Sequence, residues 1–323
     1  MNAETHTELI KDKRYMISRK PKVTKVISRL KRDKFLYMLL APGVLYFVIF
    51  KFVPMWGILI SFKDYSPYLG FWNSPWIGLE NFKTFFMNPD FFRLIKNTLL
   101  LSFYNIIFAF PLPILVALLL NEIRVKKFKK IVQTLIYVPH FLSWVIIGSI
   151  TLVLCNTQDG VISQLLFKIV GKKIDLLADP NWFRPLIVVQ GMWKDCGWNT
   201  VLFLAALSGI DSEQYEAAII DGANRFKQLV YITLPSLKSI IAVLFILRMG
   251  TVLDNGFEHI FIMTNALNRN VADVFDTYVY TLGITQGAFS YSTTVGLFKS
   301  VVGLILIQAT NLISKKFGET SLF

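Results

Sequence analysis

The sequence predicts an all-α integral membrane protein, and three observations carry that expectation. Hydrophobic residues fill 54% of 323 positions and the mean hydropathy is +0.51, a balance that places a chain among membrane proteins before any motif is read. Several apolar runs approach or exceed the roughly 20 residues that an α-helix needs to cross a bilayer. Lysines and arginines gather between alternate runs, as they do when basic segments stay in the cytoplasm. The formal charge of +13 is therefore read as membrane orientation, and no nucleic-acid partner is expected. No stretch is polar and long enough to form a separate soluble domain.

Taken in order, residues 1–34 carry eleven basic side chains, from Lys11 to Lys34. They read as a cytoplasmic tail against anionic headgroups; the apolar run that follows is too long for a cleaved signal peptide. The first span is expected at 35–62, broken by Pro42 and Pro54. Residues 63–96 read as external, with Trp72, Trp76, Phe82, Phe85 and Phe86 suited to the membrane interface. A second span, 97–120, contains Pro111 and Pro113, and the loop 121–130 carries Arg124, Lys126, Lys127, Lys129 and Lys130. The third span, 131–155, has Pro139 and His140 near its start, with no acidic residue one turn from His140. Spans four, five and six are expected at 183–207, 239–263 and 292–314, with Lys315 and Lys316 closing the last on the inside. This gives a basic tail 1–34, a six-helix membrane domain 35–314 with a polar loop at 208–238, and a short tail 315–323, both termini cytoplasmic. Cys155 and Cys196 lack metal-ligand spacing, so neither a zinc site nor a disulfide is expected.

The loop between spans four and five is the most specific stretch. Asp211 with Gln214 reads as a capping box, residues 215–220 favour helix, and Gly222 can turn the chain where a helix ends. Residues 223–230 read as a second short helix, which Pro235 bars from continuing. The block Glu216-Ala217-Ala218, three residues, Gly222, nine residues, Ile232-x-Leu234-Pro235 resembles the cytoplasmic EAA loop of the membrane subunits of ATP-binding-cassette importers, with no departure in spacing. The stretches YMLLAPG at 37–43, FKFVP at 50–54, FKDYS at 62–66, WIGLENF at 76–82, LNEIR at 120–124 and YVPHFLSW at 137–144 resemble the carbohydrate-uptake (maltose-permease-like) permeases, particularly their polysaccharide and lipoprotein-transport subgroup.

That resemblance implies the type I ABC importer permease fold in a prokaryotic cell membrane. It implies as partners a second related permease subunit, two ATPase subunits and an extracytoplasmic solute-binding protein. Glu216, Ala217, Ala218, Asp221, Gly222, Ile232, Leu234 and Pro235 are the expected ATPase-coupling residues. The chain has no G-x-x-x-x-G-K-[ST] phosphate loop and no catalytic constellation. It is expected to be no enzyme and to carry no cofactor, with ATP and magnesium held by the partner ATPase.

Charges within a bilayer span are costly and usually face protein or a water-filled path. The fourth span carries Lys194, Asp195, Trp198 and Asn199; the fifth carries Arg248, Asp254, Asn255 and Glu258. Helical spacing puts Gly191, Asp195 and Trp198 on one face, and Arg248, Val252 and Asn255 on another. In the resembling family these spans line the solute pathway, so Lys194, Asp195, Trp198, Asn199, Arg248 and Asn255 are the candidate substrate residues. A sugar would stack on Trp198 and bond to Asp195 and Asn255; two cations would suit an acidic oligosaccharide such as one containing uronate. The competing account is internal pairing of Lys194 or Arg248 with Asp195, Asp254 or Glu258. The alternative within transport is an importer of a non-sugar solute such as an amino acid or phosphate. A channel, secondary transporter or membrane enzyme lacks supporting motifs.

Overall fold

The computed structural model describes residues 32–316; the basic tail and the short last tail lie almost wholly outside them. Among the described residues, regular structure is helical apart from a single antiparallel bridge between Lys63 and Trp76. The chain divides at Ile58/Leu59 into two units.

The first unit holds helix α1, Lys34–Phe47, which continues through a π turn at Val48–Phe52. Pro42 lies inside α1 and Pro54 follows the π turn, yet neither breaks the run expected to break there. Proline lacks an N–H, and its ring crowds the carbonyl four residues back. A π turn, with its i→i+5 bonds, widens the helix at that place. The same device recurs at Asn105–Ala109 before Pro111 and at Leu229–Thr233 before Pro235. The helices at Pro54 and Pro235 therefore run on where the sequence predicts a break, and the one at Pro111 runs on as expected.

In the second unit, the segment 63–96 is more than a surface layer. Helix α2, Glu80–Met87, buries Phe85, which packs with Phe91, Phe275, Phe298 and Tyr291 rather than lying at an interface. Helix α3, Phe91–Tyr104, passes through its π turn into α4, Pro111–Glu122, so the second span starts earlier than expected. The third is not straight: α5, Lys126–Tyr137, with a 3-10 turn at Val138–Phe141, meets α6, Trp144–Leu154, at a bend of 100°. Pro139 ends the first piece, and Ser143 starts the second by accepting from the Ile146 N–H at 3.3 Å. Helix α7 covers Val161–Val170.

Helix α8, Pro180–Ser208, is 29 residues long, with Asp179 capping its start and Pro180 in its first turn. It packs against α4, α5 and the 3-10 turn. Helix α9 covers Ser212–Ile220, α10 Arg225–Gln228 and α11 Leu234–Gly250. The apolar helical run expected at 239–263 is thus 225–250. Its end at Gly250 is followed by turns and by Gly256 at φ 83°, before α12, Phe257–Met263. Residues 264–291 are drawn into the interior: Ala272, Val274 and Phe275, the last in α13, Phe275–Tyr280, are buried. Helix α14 runs Phe289–Lys316 and crosses α11 where Gly303 meets the Gly250 carbonyl, a close approach that small residues allow. Among the described residues, four helical runs are long and apolar enough to cross a membrane, or five with the bent pair; α8 has the length, but Arg184, Lys194 and Asp195 interrupt it.

Candidate functional site

The polar loop folds as α9, a turn, and the continuous helix begun by α10. Asp211 accepts from the Glu213 N–H at 3.0 Å and caps α9. At the other end the Ala223 N–H donates to the Ala218 carbonyl at 2.8 Å, and the Gly222 N–H to that of Ile219 at 3.0 Å. With Gly222 at φ 76° this is a Schellman terminus, which supplies a physical reason for the spacing from Ala218 to Gly222. Asn224 then caps α10 by accepting from the Lys227 N–H at 2.9 Å. The second helix does not stop at Pro235; the π turn carries it into α11. Tyr215 reaches across to the Thr233 hydroxyl at 3.0 Å, and Arg225 pairs with Glu122 at 3.3 Å. Glu216, Ala217, Asp221, Gly222 and Pro235 are exposed, while Ala218, Ile232 and Leu234 are half-buried. Ile219, Ile220 and Phe226 are apolar and exposed beside them.

The candidate pathway residues separate into two groups. Asp195, Asn199 and Arg248 line one cavity of about 440 Å³, with Gly191, Asn105 and Thr251. Lys194, Trp198 and Asn255 do not line it. The stripe that α8 turns to the cavity is Gly191, Asp195, Asn199 and Leu202, so Trp198 lies one step round the helix from the expected face. Its ring instead stacks on His140, centroids 4.7 Å apart and 10° between planes. Asn255 cannot share a helical face with Arg248, because α11 ends at Gly250. Its side chain is buried, donating to the Thr98 carbonyl at 3.2 Å and to the Ser102 hydroxyl at 3.3 Å.

The expected pairings are also corrected. Asp195 is engaged by His140, Nδ1 to Oδ1 3.0 Å, an acidic partner that local sequence spacing concealed. Lys194 is buried and donates to the carbonyls of His140 at 2.7 Å and Leu142 at 2.5 Å. These carbonyls stand at the break between α5 and α6, where helix bonding is interrupted. Its ammonium lies 5.3 Å from the Trp144 ring centroid, and Trp144 stacks on His259 at 3.7 Å. His259 Nε2 is 2.7 Å from Gln190 Oε1, whose amide reaches the Thr151 hydroxyl at 2.5 Å. Asp254 pairs with Lys299 at 2.6 Å rather than with Arg248, and Lys299 also contacts Asp276. Asp195 is the only carboxylate lining the Arg248 cavity among the described residues.

Sequence reasoning passed over Asn105, Thr251 and Lys299. Asn105, the polar residue opening the π turn of an apolar run, and Lys299, a charge within the sixth span, carried a readable signal. Thr251 had none, because it matters only where α11 ends.

Residues 85–319 match the family of binding-protein-dependent transport system inner membrane components. The chain is 61% identical over 297 residues to Protein LplB of Bacillus subtilis (strain 168), covering 92% of this chain and 93% of that protein. Over 308 residues it is 51% identical to the polygalacturonan/rhamnogalacturonan transport system permease protein YteP of the same organism, covering 95% and 96%. A crystal structure of a bacterial ABC transporter involved in the import of the acidic polysaccharide alginate contains a similar chain. It is 37% identical at a TM-score of 0.83, over 90% of this chain and 99% of that one. A second structure, that of the alginate ABC transporter in complex with an alginate pentasaccharide-bound periplasmic protein, matches at 36% identity and a TM-score of 0.83, over 91% and 99%.

Proposed function

The chain belongs to the inner-membrane permease components of binding-protein-dependent ABC transport systems, and on that premise we propose that it passes an acidic oligosaccharide along a path lined by Arg248. The observation that carries the reading is Arg248 on a largely apolar cavity whose one lining carboxylate, Asp195, is already engaged by His140. A guanidinium in such a place is matched to a sugar carboxylate. Asn199, Asn105 and Thr251 add groups that bond to hydroxyls. Relatives named for polygalacturonan and alginate support an acidic sugar and weigh against an amino acid or phosphate. Lys194, bound to two carbonyls, is left out of the solute path.

The subunit works with a second permease, two ATPases that hold ATP and magnesium, and an extracytoplasmic binding protein. The EAA block (Glu216 to Pro235) docks an ATPase, with exposed Ile219, Ile220 and Phe226 as the apolar part of the contact. Basic loops face the cytoplasm, with six spans and both termini inside.

The test is uptake by the assembled importer in proteoliposomes with its binding protein, comparing a uronate-containing with a neutral oligosaccharide. Arg248→Gln raises the half-saturation for the acidic sugar, leaving yield and neutral-sugar uptake unchanged. A collapse in yield instead assigns Arg248 to internal pairing with Asp254 or Asp195. Unchanged uptake of both sugars at normal yield removes Arg248 from either account.

A further inference from the structure

The stripe Lys127, Lys130, Ile131, Thr134 and Leu135 on α5 encloses a groove of about 410 Å³, and we propose that it holds one anionic phospholipid. These positions share one helical face. The face changes character along its length, from two ammonium groups near the start of α5 to an apolar wall further on. Thr134 belongs to the wall, because its hydroxyl is spent on the Lys130 carbonyl at 2.9 Å. Ile131 and Leu135 are 58% and 66% exposed, large apolar side chains left uncovered beside the charges.

From Lys127 to Leu135 the helix rises about 12 Å, close to the depth from a headgroup into one leaflet's hydrocarbon. A phosphate at the lysine pair would therefore lead an acyl chain over Ile131, Thr134 and Leu135. No acid pairs with Lys126, Lys127, Lys129 or Lys130 among the described residues. The nearby basic residue that is paired is Arg225, with Glu122. Four unpaired lysines beside a span match the chemistry of anionic lipid recognition, and lysine stems can cover apolar surface while their heads stay at the interface. A free phosphate would use the charges and leave the apolar wall bare, so the occupant is the lipid.

The opposite side of α5 is occupied, since Gly197 of α8 lies against the Ile136 backbone; the groove is thus a free face of a firmly seated helix. The site rests on this face and is independent of which solute the importer carries.

The test places p-benzoyl-phenylalanine at Thr134 in the assembled importer, reconstituted in vesicles of equal phosphatidylglycerol and phosphatidylcholine. Irradiation should give phosphatidylglycerol adducts over phosphatidylcholine adducts by roughly fivefold for each lysine that engages the headgroup, from about one kcal/mol per lysine near an anionic surface. Lys127→Gln with Lys130→Gln should bring the ratio towards one, and arginine at both positions should restore it. Equal adducts from the unsubstituted lysines would mean ordinary boundary lipid and overturn the proposal. An adduct on a partner subunit would overturn it in favour of a protein interface.

Discussion

Gly222 and Gly197 are constrained for opposite reasons. Gly222 sits at φ 76°, and a Cβ there would meet nothing within 4 Å. Only backbone conformation demands glycine, at about 1–2 kcal/mol for any other L-residue. Gly222→Ala is therefore expected to weaken uptake per ATP hydrolysed modestly. Gly222→Pro, whose ring fixes φ on the negative side, should abolish coupling while the permease still purifies at normal yield. Uptake and ATPase rates measured together check both; full uptake by the proline variant would refute the assignment. At Gly197 the backbone is ordinary helix, but an added Cβ would run into the Ile136 carbonyl. Backbone cannot give way as a flexible side chain can, so Gly197→Ala should cost about 1–3 kcal/mol as overpacking. A lowered melting temperature in detergent checks it.

Among the elements, the bent span shows how one side chain can satisfy a broken helix. Between α5 and α6 the chain turns through 100°, leaving carbonyls without helical partners in a setting where unsatisfied polar groups are expensive. Lys194 answers two of them from the neighbouring helix, so its ammonium bridges the joint. Lys194→Met keeps the length and removes the donor; it should cost about 1–3 kcal/mol through the stranded carbonyls. The expected signature is lower thermal stability with unchanged half-saturation for solute, and a raised half-saturation at normal stability would return Lys194 to the pathway. Three of the proline-bearing helical runs follow a similar logic, placing a π turn before Pro54, Pro111 and Pro235.

For the whole molecule, the loop proposed to couple to an ATPase and the cavity share elements. Helix α8, which carries Asp195 and Asn199, ends just before α9, and α11, which carries Arg248, grows out of the same loop through the π turn. A pull on the loop would reach both cavity walls through rigid helices, the kind of two-ended element that coupling needs. Glu216 is exposed on α9, and an interfacial charge there would fix register more than affinity. Glu216→Lys is expected to reduce co-purification of the ATPase, with rescue by a charge change on that partner. Intact co-purification and uptake would make Glu216 a solvated helix residue.

Apolar length, basic loops and the spacing from Glu216 to Pro235 are local properties of the chain, so a helical membrane permease was legible in the sequence. The sequence also marked the turn at Gly222, where a positive φ is a demand of one residue. It misplaced the start of the fifth helical run and missed the bend in the third. Those depend on how π turns absorb prolines and how Lys194 supports a break from another helix. Which polar groups meet depends on the tertiary structure: His140 with Asp195, Lys299 with Asp254, and Arg248 with Asn199 on the lining of one cavity. Residues far apart in sequence become partners only once helices cross, and a burial cost forces each charge to find whichever partner the crossing brings near.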